Sequence, residues 1–129
     1  MSVTYIPTAL RNLVYRRAKG CCEYCLISEE VSFSKHQIDH IIAEKHGGLT
    51  TEENLALSCT ICNKNKGSDI ASIDTETGEI VPLFNPRNHV WSEHFEVENG
   101  YFTGLTPNAR ATIQLLQINN FLRIEERHI

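Results

Sequence analysis

The sequence contains no apolar run of about 18 residues, the length that a membrane-spanning helix needs. It also shows no apolar segment of signal-peptide type near its N-terminus, no internal repeat and no low-complexity tract. Positive charge is not in excess, since 12 Lys and Arg stand against 16 Asp and Glu, for a net charge of −4. These absences predict a soluble, cytoplasmic protein without a membrane partner, folded as a single domain over residues 1–129.

Cysteine, by contrast, is present five times. Four of the cysteines form two CxxC pairs, Cys22 with Cys25 and Cys59 with Cys62, separated by 33 residues, and Cys21 is left over. Two such pairs predict a tetrahedral Zn²⁺ site of four thiolates. A closed shell of four sulfurs leaves no position for water, so we expect this zinc to be structural. A thiol redox function of one CxxC pair is the alternative.

The excess of negative charge lies in the second half of the chain. Residues 1–67 hold eight Lys and Arg against seven Asp and Glu, whereas residues 68–129 hold four against nine. Within the first half, basic residues flank the cysteine pairs, Arg16 and Arg17 before the first pair and Lys64 and Lys66 after the second. We assign these four side chains to nucleic-acid phosphates, with a solvated helix face as the alternative.

The first half reads as helix, strand, strand and helix. Apolar residues at helical spacing predict a helix over Thr8 to Lys19, which Gly20 ends. Alternating and β-branched residues predict short strands over 37–43 and 54–58, and a short helix follows from Thr60 to near Gly67.

The second half reads as β-rich and then helical. We predict a strand over 79–84 and a hairpin of 94–98 with 101–105, turning at Asn99-Gly100. Thr106 and Pro107 then open one long helix with a wide apolar face. The expected fold class is therefore α+β, with a core at 20–70 and a C-terminal region at 71–129 packed on it.

Four polar residues within the cysteine frame suit phosphodiester hydrolysis. Asp39 and Asn63 offer oxygen ligands for Mg²⁺ or a similar ion, and the neutral imidazole of His40 can take a proton from metal-ordered water. Asn54 can tie the returning strand to the loop around His40, although a turn-stabilising role is the alternative. Neighbours on a strand point to opposite faces, so Asp39 and His40 share a cleft only if the strand twists or ends there.

The order and spacing of these motifs resemble the HNH endonucleases, in the subgroup that carries four cysteines. The resemblance covers about two fifths of the chain, roughly residues 20–70. Its segments are Cys22-Glu-Tyr-Cys25, Ile38-Asp39-His40-Ile41-Ile42, Gly47-Gly48, Asn54-Leu55, Leu57-Ser58-Cys59, Cys62-Asn63 and Lys66-Gly67. A weaker resemblance to small stand-alone bacterial HNH proteins extends over Pro82-Leu-Phe-Asn-Pro-Arg87, Trp91, His94-Phe95 and Ala111-Thr112.

The resemblance implies a ββα-metal finger that cuts DNA with a divalent ion. It implies that Asp39 and Asn63 bind that ion, that His40 is the general base, and that Asn54 positions it. The last residue of the family pattern is often histidine, and Asn63 is a common replacement for it. One departure is Ala43, where many members carry proline. A catalytically inert zinc knuckle that binds nucleic acid or protein is the alternative, and a protein partner or homodimer is left open.

Overall fold

The computed structural model describes residues 4–128, and within them the architecture is α+β, with five helices and three two-stranded antiparallel sheets. The chain divides into two compact units, the first ending at Asp69 and the second beginning at Ile70. Among the described residues, no helix is long and apolar enough to cross a membrane.

The first unit begins with helix α1, Thr8–Ala18, as predicted. Lys19 (φ 55°) and Gly20 (φ 73°) adopt left-handed conformations, which end the helix. Val14 on the inner face of α1 is fully buried and packs with Leu55 and Leu57. This small cluster fastens the helix to the strand that leads into the second cysteine pair.

The predicted order of two strands and a helix is confirmed. Strand β1, Gln37–His40, pairs antiparallel with strand β2, Leu55–Ser58, and helix α2 follows at Thr60–Lys66. Strand β1 is shorter than predicted because the side chain of Asn54 forms hydrogen bonds with both the N–H and the C=O of Ile42. These two backbone groups would otherwise continue the pairing of the strands. The chain between the strands, residues 41–54, therefore leaves the sheet directly after His40.

The second unit contains the remaining elements, which are β3 Ala71–Ile73, β4 Ile80–Pro82, α3 Trp91–His94, β5 Phe95–Glu98, β6 Tyr101–Gly104, α4 Pro107–Leu115 and α5 Phe121–His128. The predicted hairpin is confirmed, with Asn99 (φ 52°) and Gly100 (φ 81°) between β5 and β6. The aromatic rings of Phe84, Phe95 and Phe102 form its core, against which Trp91 packs.

The prediction of one long C-terminal helix is wrong. Helix α4 ends at Leu115, because Gln117 adopts a left-handed conformation (φ 57°) and the chain turns before α5. Asn119, within this turn, donates to the carbonyl of Phe102 and accepts from its N–H, at 2.8 and 2.9 Å. The two hydrogen bonds of the Asn119 side chain with strand β6 thus favour a turn over continuation of the helix.

Candidate metal centre and active site

The four cysteines of the two CxxC pairs come together in the first unit. Their sulfur atoms all lie within 4.8 Å of one another, and all four residues are buried. The Sγ atoms of Cys25 and Cys59 are 3.7 Å apart, close to the sulfur–sulfur edge of about 3.8 Å that Zn–S bonds of about 2.3 Å give in a tetrahedron. The donor set and its spacing therefore fit a zinc ion.

Local hydrogen bonds shape each half of this cluster. The backbone N–H of Cys25 donates to the Sγ of Cys22 at 3.5 Å, and that of Cys62 donates to the Sγ of Cys59 at 3.4 Å. Burial raises the pKa of the Cys22 and Cys62 thiols, whereas hydrogen bonds from neighbouring cysteines lower the pKa of Cys25 and Cys59. Four sulfurs this close cannot all be thiolates without a cation among them, which is the role a zinc ion would fill.

Asp39 lies on the face of β1 that meets helix α2, and only 6% of its surface is exposed. Its Oδ2 accepts from the Tyr24 hydroxyl at 3.1 Å and pairs with the Lys66 ammonium at 3.1 Å. Burial raises the pKa of Asp39, while the positive charge of Lys66 opposes the rise. Burial also raises the pKa of Tyr24, so the phenol stays protonated and donates to the carboxylate.

Asn63 is bound by a second contact between the same two elements. Its side-chain Nδ2 donates to the Oε1 of Gln37 in a short hydrogen bond. Gln37 and Asp39 are two residues apart on β1 and share a face, while Asn63 and Lys66 are three apart on α2 and share another. Two parallel polar contacts thus join β1 to α2, and they place Asp39 and Asn63 diagonally across this junction.

Strand β1 ends at His40, which directly follows Asp39 in the chain. Its imidazole is buried, and Nε2 lies 2.9 Å from the Oγ1 of Thr50 in the loop. When Nε2 donates to this hydroxyl, Nδ1 carries the lone pair of the neutral ring. Nδ1 has no hydrogen-bond partner among the described residues, which leaves it as the ring nitrogen able to accept a proton.

Asn54 closes the loop that carries Thr50. Its Oδ1 accepts from the N–H of Ile42 at 2.9 Å, and its Nδ2 donates to the carbonyls of Ile42 and Leu49, at 2.9 and 2.8 Å. Gly48 packs so closely here that a Cβ would lie 1.7 Å from the Ile42 oxygen. The loop thus needs both a carboxamide at 54 and a glycine at 48.

We predict that Asn54→Ala loosens this loop more than it unfolds the protein. The variant loses three hydrogen bonds, at roughly 1 kcal/mol each in the free energy of unfolding. If His40 has the catalytic role that the HNH resemblance implies, cleavage of DNA should also fall about tenfold to a hundredfold, because Thr50 would then hold the imidazole less firmly. Denaturant unfolding and a nicking assay measure the two effects. Asn12→Ala, an exposed change on α1, serves as the control, and equal activity of both variants would contradict the prediction.

The four predicted phosphate contacts separate into two groups. Arg16 and Lys64 are exposed, as phosphate contacts need to be. Arg17 instead donates to the carbonyls of Glu52 and Leu55, at 2.8 and 2.6 Å, and Lys66 is buried against Asp39. The expectation of a phosphate contact is corrected for Arg17 and Lys66, because internal acceptors hold both side chains.

Three further residues belong to this site but were not predicted from the sequence. Tyr24, inside the first CxxC pair, bonds Asp39; Gln37 bonds Asn63; and Thr50 bonds His40. Gln37 could have been found from strand alternation, since it shares the face of Asp39. Tyr24 and Thr50 gave no such signal, because each lies in a turn or loop whose path the sequence does not specify.

Comparison with known protein families gives a match for part of the chain. The family model described as HNH endonuclease matches residues 22–69, which span both cysteine pairs, β1, the loop, β2 and α2. No curated protein matches this chain. Residues 22–69 therefore match the HNH endonuclease family and carry a four-cysteine cluster consistent with its zinc-binding subgroup, and this match indicates a nuclease-type function.

Proposed function

We propose that this protein is a metal-dependent endonuclease that hydrolyses phosphodiester bonds in DNA. The observation that carries the proposal is the placement of Asp39 and His40 at the end of one strand, within an HNH domain whose two cysteine pairs can be joined by zinc. Asp39 contacts α2, which also carries Asn63, and the loop that Asn54 closes holds His40.

In this proposal Asp39 and Asn63 hold a divalent ion such as Mg²⁺. A buried carboxylate and an amide oxygen form the hard oxygen donor set that Mg²⁺ accepts while it keeps several waters. When bound, such an ion stabilises the negative charge that develops on the scissile phosphate and the leaving oxygen. Gln37 orients the amide of Asn63, because their hydrogen bond fixes which end of the amide points away from β1.

His40 acts as the general base. Its Nε2 is held by Thr50, so Nδ1 is directed to take a proton from the attacking water. The hydroxide equivalent then attacks phosphorus, and the bond to the leaving oxygen breaks as that oxygen takes a proton from solvent water. The imidazolium of His40 returns its proton to solvent, which restores the base. Arg16 and Lys64 contribute salt-sensitive contacts to the DNA backbone that carry no sequence preference.

The metal dependence tests this function. Supercoiled plasmid is incubated with the zinc-loaded protein in Mg²⁺, in Mn²⁺ and without a divalent ion, beside the Asp39→Asn variant. We expect nicking only with a divalent ion, and a loss of about a hundredfold or more in the variant, since a neutral amide holds the ion weakly. Asp69→Asn, an exposed aspartate in the same unit, is the matched control and should cut like the wild type. Cutting that is independent of metal would contradict the proposal.

A binding module without catalysis is the second candidate. It is favoured by one observation, that the Lys66 ammonium already neutralises the Asp39 carboxylate. If the protein is an inert module, it should bind labelled DNA with the same affinity in the absence and in the presence of Mg²⁺. It should also leave the plasmid supercoiled. The same assay on single-stranded DNA and RNA identifies the strand type that is cut.

A further inference from the structure

The ion pair of Lys66 with Asp39 lies where the proposed function needs a divalent ion. The Nζ of Lys66 is 3.1 Å from Oδ2 and 3.4 Å from Oδ1 of Asp39, and 3.2 Å from the carbonyl oxygen of His40. The two side chains are only 3% and 6% exposed. A lysine ammonium thus contacts both oxygens of the carboxylate and the backbone of the general base.

The contacts of Lys66 affect which other cation Asp39 can bind. The Tyr24 hydroxyl donates a hydrogen bond to Oδ2 of Asp39, and the Lys66 ammonium contacts both carboxylate oxygens. The negative charge of Asp39 is therefore already balanced. A second cation at the same carboxylate would meet a like charge at close range in a buried site, where screening by water is weak. The ammonium and a divalent ion therefore compete for Asp39.

We propose that Lys66 is the resident counter-cation of the catalytic metal site and sets its affinity for divalent ions. In the metal-free protein its ammonium neutralises Asp39 and keeps a buried carboxylate from standing alone. The ammonium must leave at least one carboxylate oxygen before a divalent ion can be bound there. This inference rests on the proposed function, since it concerns the ion that the function uses, and it makes Lys66 a positioning residue rather than a phosphate contact.

The main experiment measures Mn²⁺ affinity of the zinc-loaded protein by calorimetry. Lys66→Met keeps an unbranched apolar stem of similar length but removes the charge. We expect it to bind Mn²⁺ at least about tenfold more tightly than the wild type, because Asp39 then has no competing cation. Mn²⁺ does not replace zinc in a shell of four thiolates, so the two sites are read separately.

Two controls limit the interpretation of this result. Lys45→Met replaces an exposed lysine of the same unit and changes the net charge by the same amount as Lys66→Met. It should change the Mn²⁺ affinity less than about twofold. Asp39→Asn should abolish the binding in both the wild-type and the Lys66→Met background. If Lys66→Met binds Mn²⁺ no more tightly than the wild type, the ion pair is structural and the inference is overturned.

A second measurement uses the unaltered protein, in case Lys66→Met does not fold. An ammonium held by several acceptors in a buried site gives a slowly exchanging ¹⁵N–¹H signal, and Mg²⁺ is diamagnetic. Saturating Mg²⁺ should shift or remove the Lys66 signal while those of exposed lysines stay unchanged. A Lys66 signal that is insensitive to saturating Mg²⁺ would overturn the inference.

The two proposals fail in different ways. If Lys66→Met leaves Mn²⁺ affinity unchanged but the wild type nicks DNA only with a divalent ion, this inference fails and the proposed function stands. If Lys66→Met tightens Mn²⁺ binding through Asp39 while no nucleic acid is cut, the metal site is real and the proposed function fails.

Discussion

Replacing His40 by alanine should reduce DNA cleavage by a factor of about 10² to 10⁴, the range that a positioned general base contributes. The imidazole is the only group that the described structure places at the end of β1 with a ring nitrogen free to accept a proton, since Thr50 binds the other nitrogen. Its removal leaves the four cysteines and the contacts of Asp39 untouched. Zinc content and DNA affinity should therefore match those of the wild type, and only the rate should fall.

A second histidine of the first unit provides the control. His46 is exposed, and its Nε2 lies 3.1 Å from the carbonyl oxygen of Ser68. His46→Ala should cut plasmid at the wild-type rate under the same Mg²⁺ concentration. Equal cutting by the wild type and His40→Ala, in proteins with equal zinc content, would exclude His40 as the base.

Removal of the zinc should unfold the first unit and abolish activity even in excess Mg²⁺. Structural zinc in small domains contributes apparent binding free energies of about 10–16 kcal/mol, which is as large as the whole stability of many domains. Among residues 4–128, the buried apolar cluster that joins α1 to β2 consists of Val14, Leu55 and Leu57, with a few partly buried apolar side chains packed against it. Cys62→Ser, or a zinc-selective chelator with Mg²⁺ held constant, should therefore eliminate cleavage.

The fifth cysteine provides a control for this prediction, and the single tryptophan provides a probe. Cys21→Ser changes a cysteine that lies outside the cluster, and it should retain both zinc and activity. Trp91 lies in the second unit, so its fluorescence reports on that unit, whereas unfolding of the first unit is followed from the backbone amide NMR signals of its own residues. Activity that survives complete removal of zinc, measured by metal analysis, would show that the cysteines do not hold the active site together.

Much of the candidate site could be predicted from local sequence. CxxC turns bring two sulfurs together through hydrogen bonds that span three residues, so each half of the metal cluster forms from its own segment. Asn99-Gly100 likewise specifies its hairpin through the left-handed conformations that these two residues tolerate. Features that depend on neighbouring residues were therefore predicted correctly.

Features that depend on distant residues were not. The arginines and lysines near the cysteines look alike in sequence, yet Arg17 bonds carbonyls 35 and 38 residues away, and Lys66 pairs with a carboxylate 27 residues away. The long C-terminal helix was predicted from its apolar spacing, but Asn119 bonds to Phe102, 17 residues earlier, and the chain turns there. Periodicity carries no information about such partners.

The sequence by itself predicted the four cysteines that cluster, the order of two strands and a helix, and the polar residues that the proposed hydrolysis would need. Only the tertiary structure decided which of these residues contact one another, that Thr50 holds His40, and that Lys66 neutralises Asp39. The physical reason is that a side chain's charge is written in the sequence, whereas its burial and its partner arise from packing between elements. The buried ammonium beside the carboxylate that we propose to bind metal can be recognised only from the packing of the strand against the helix.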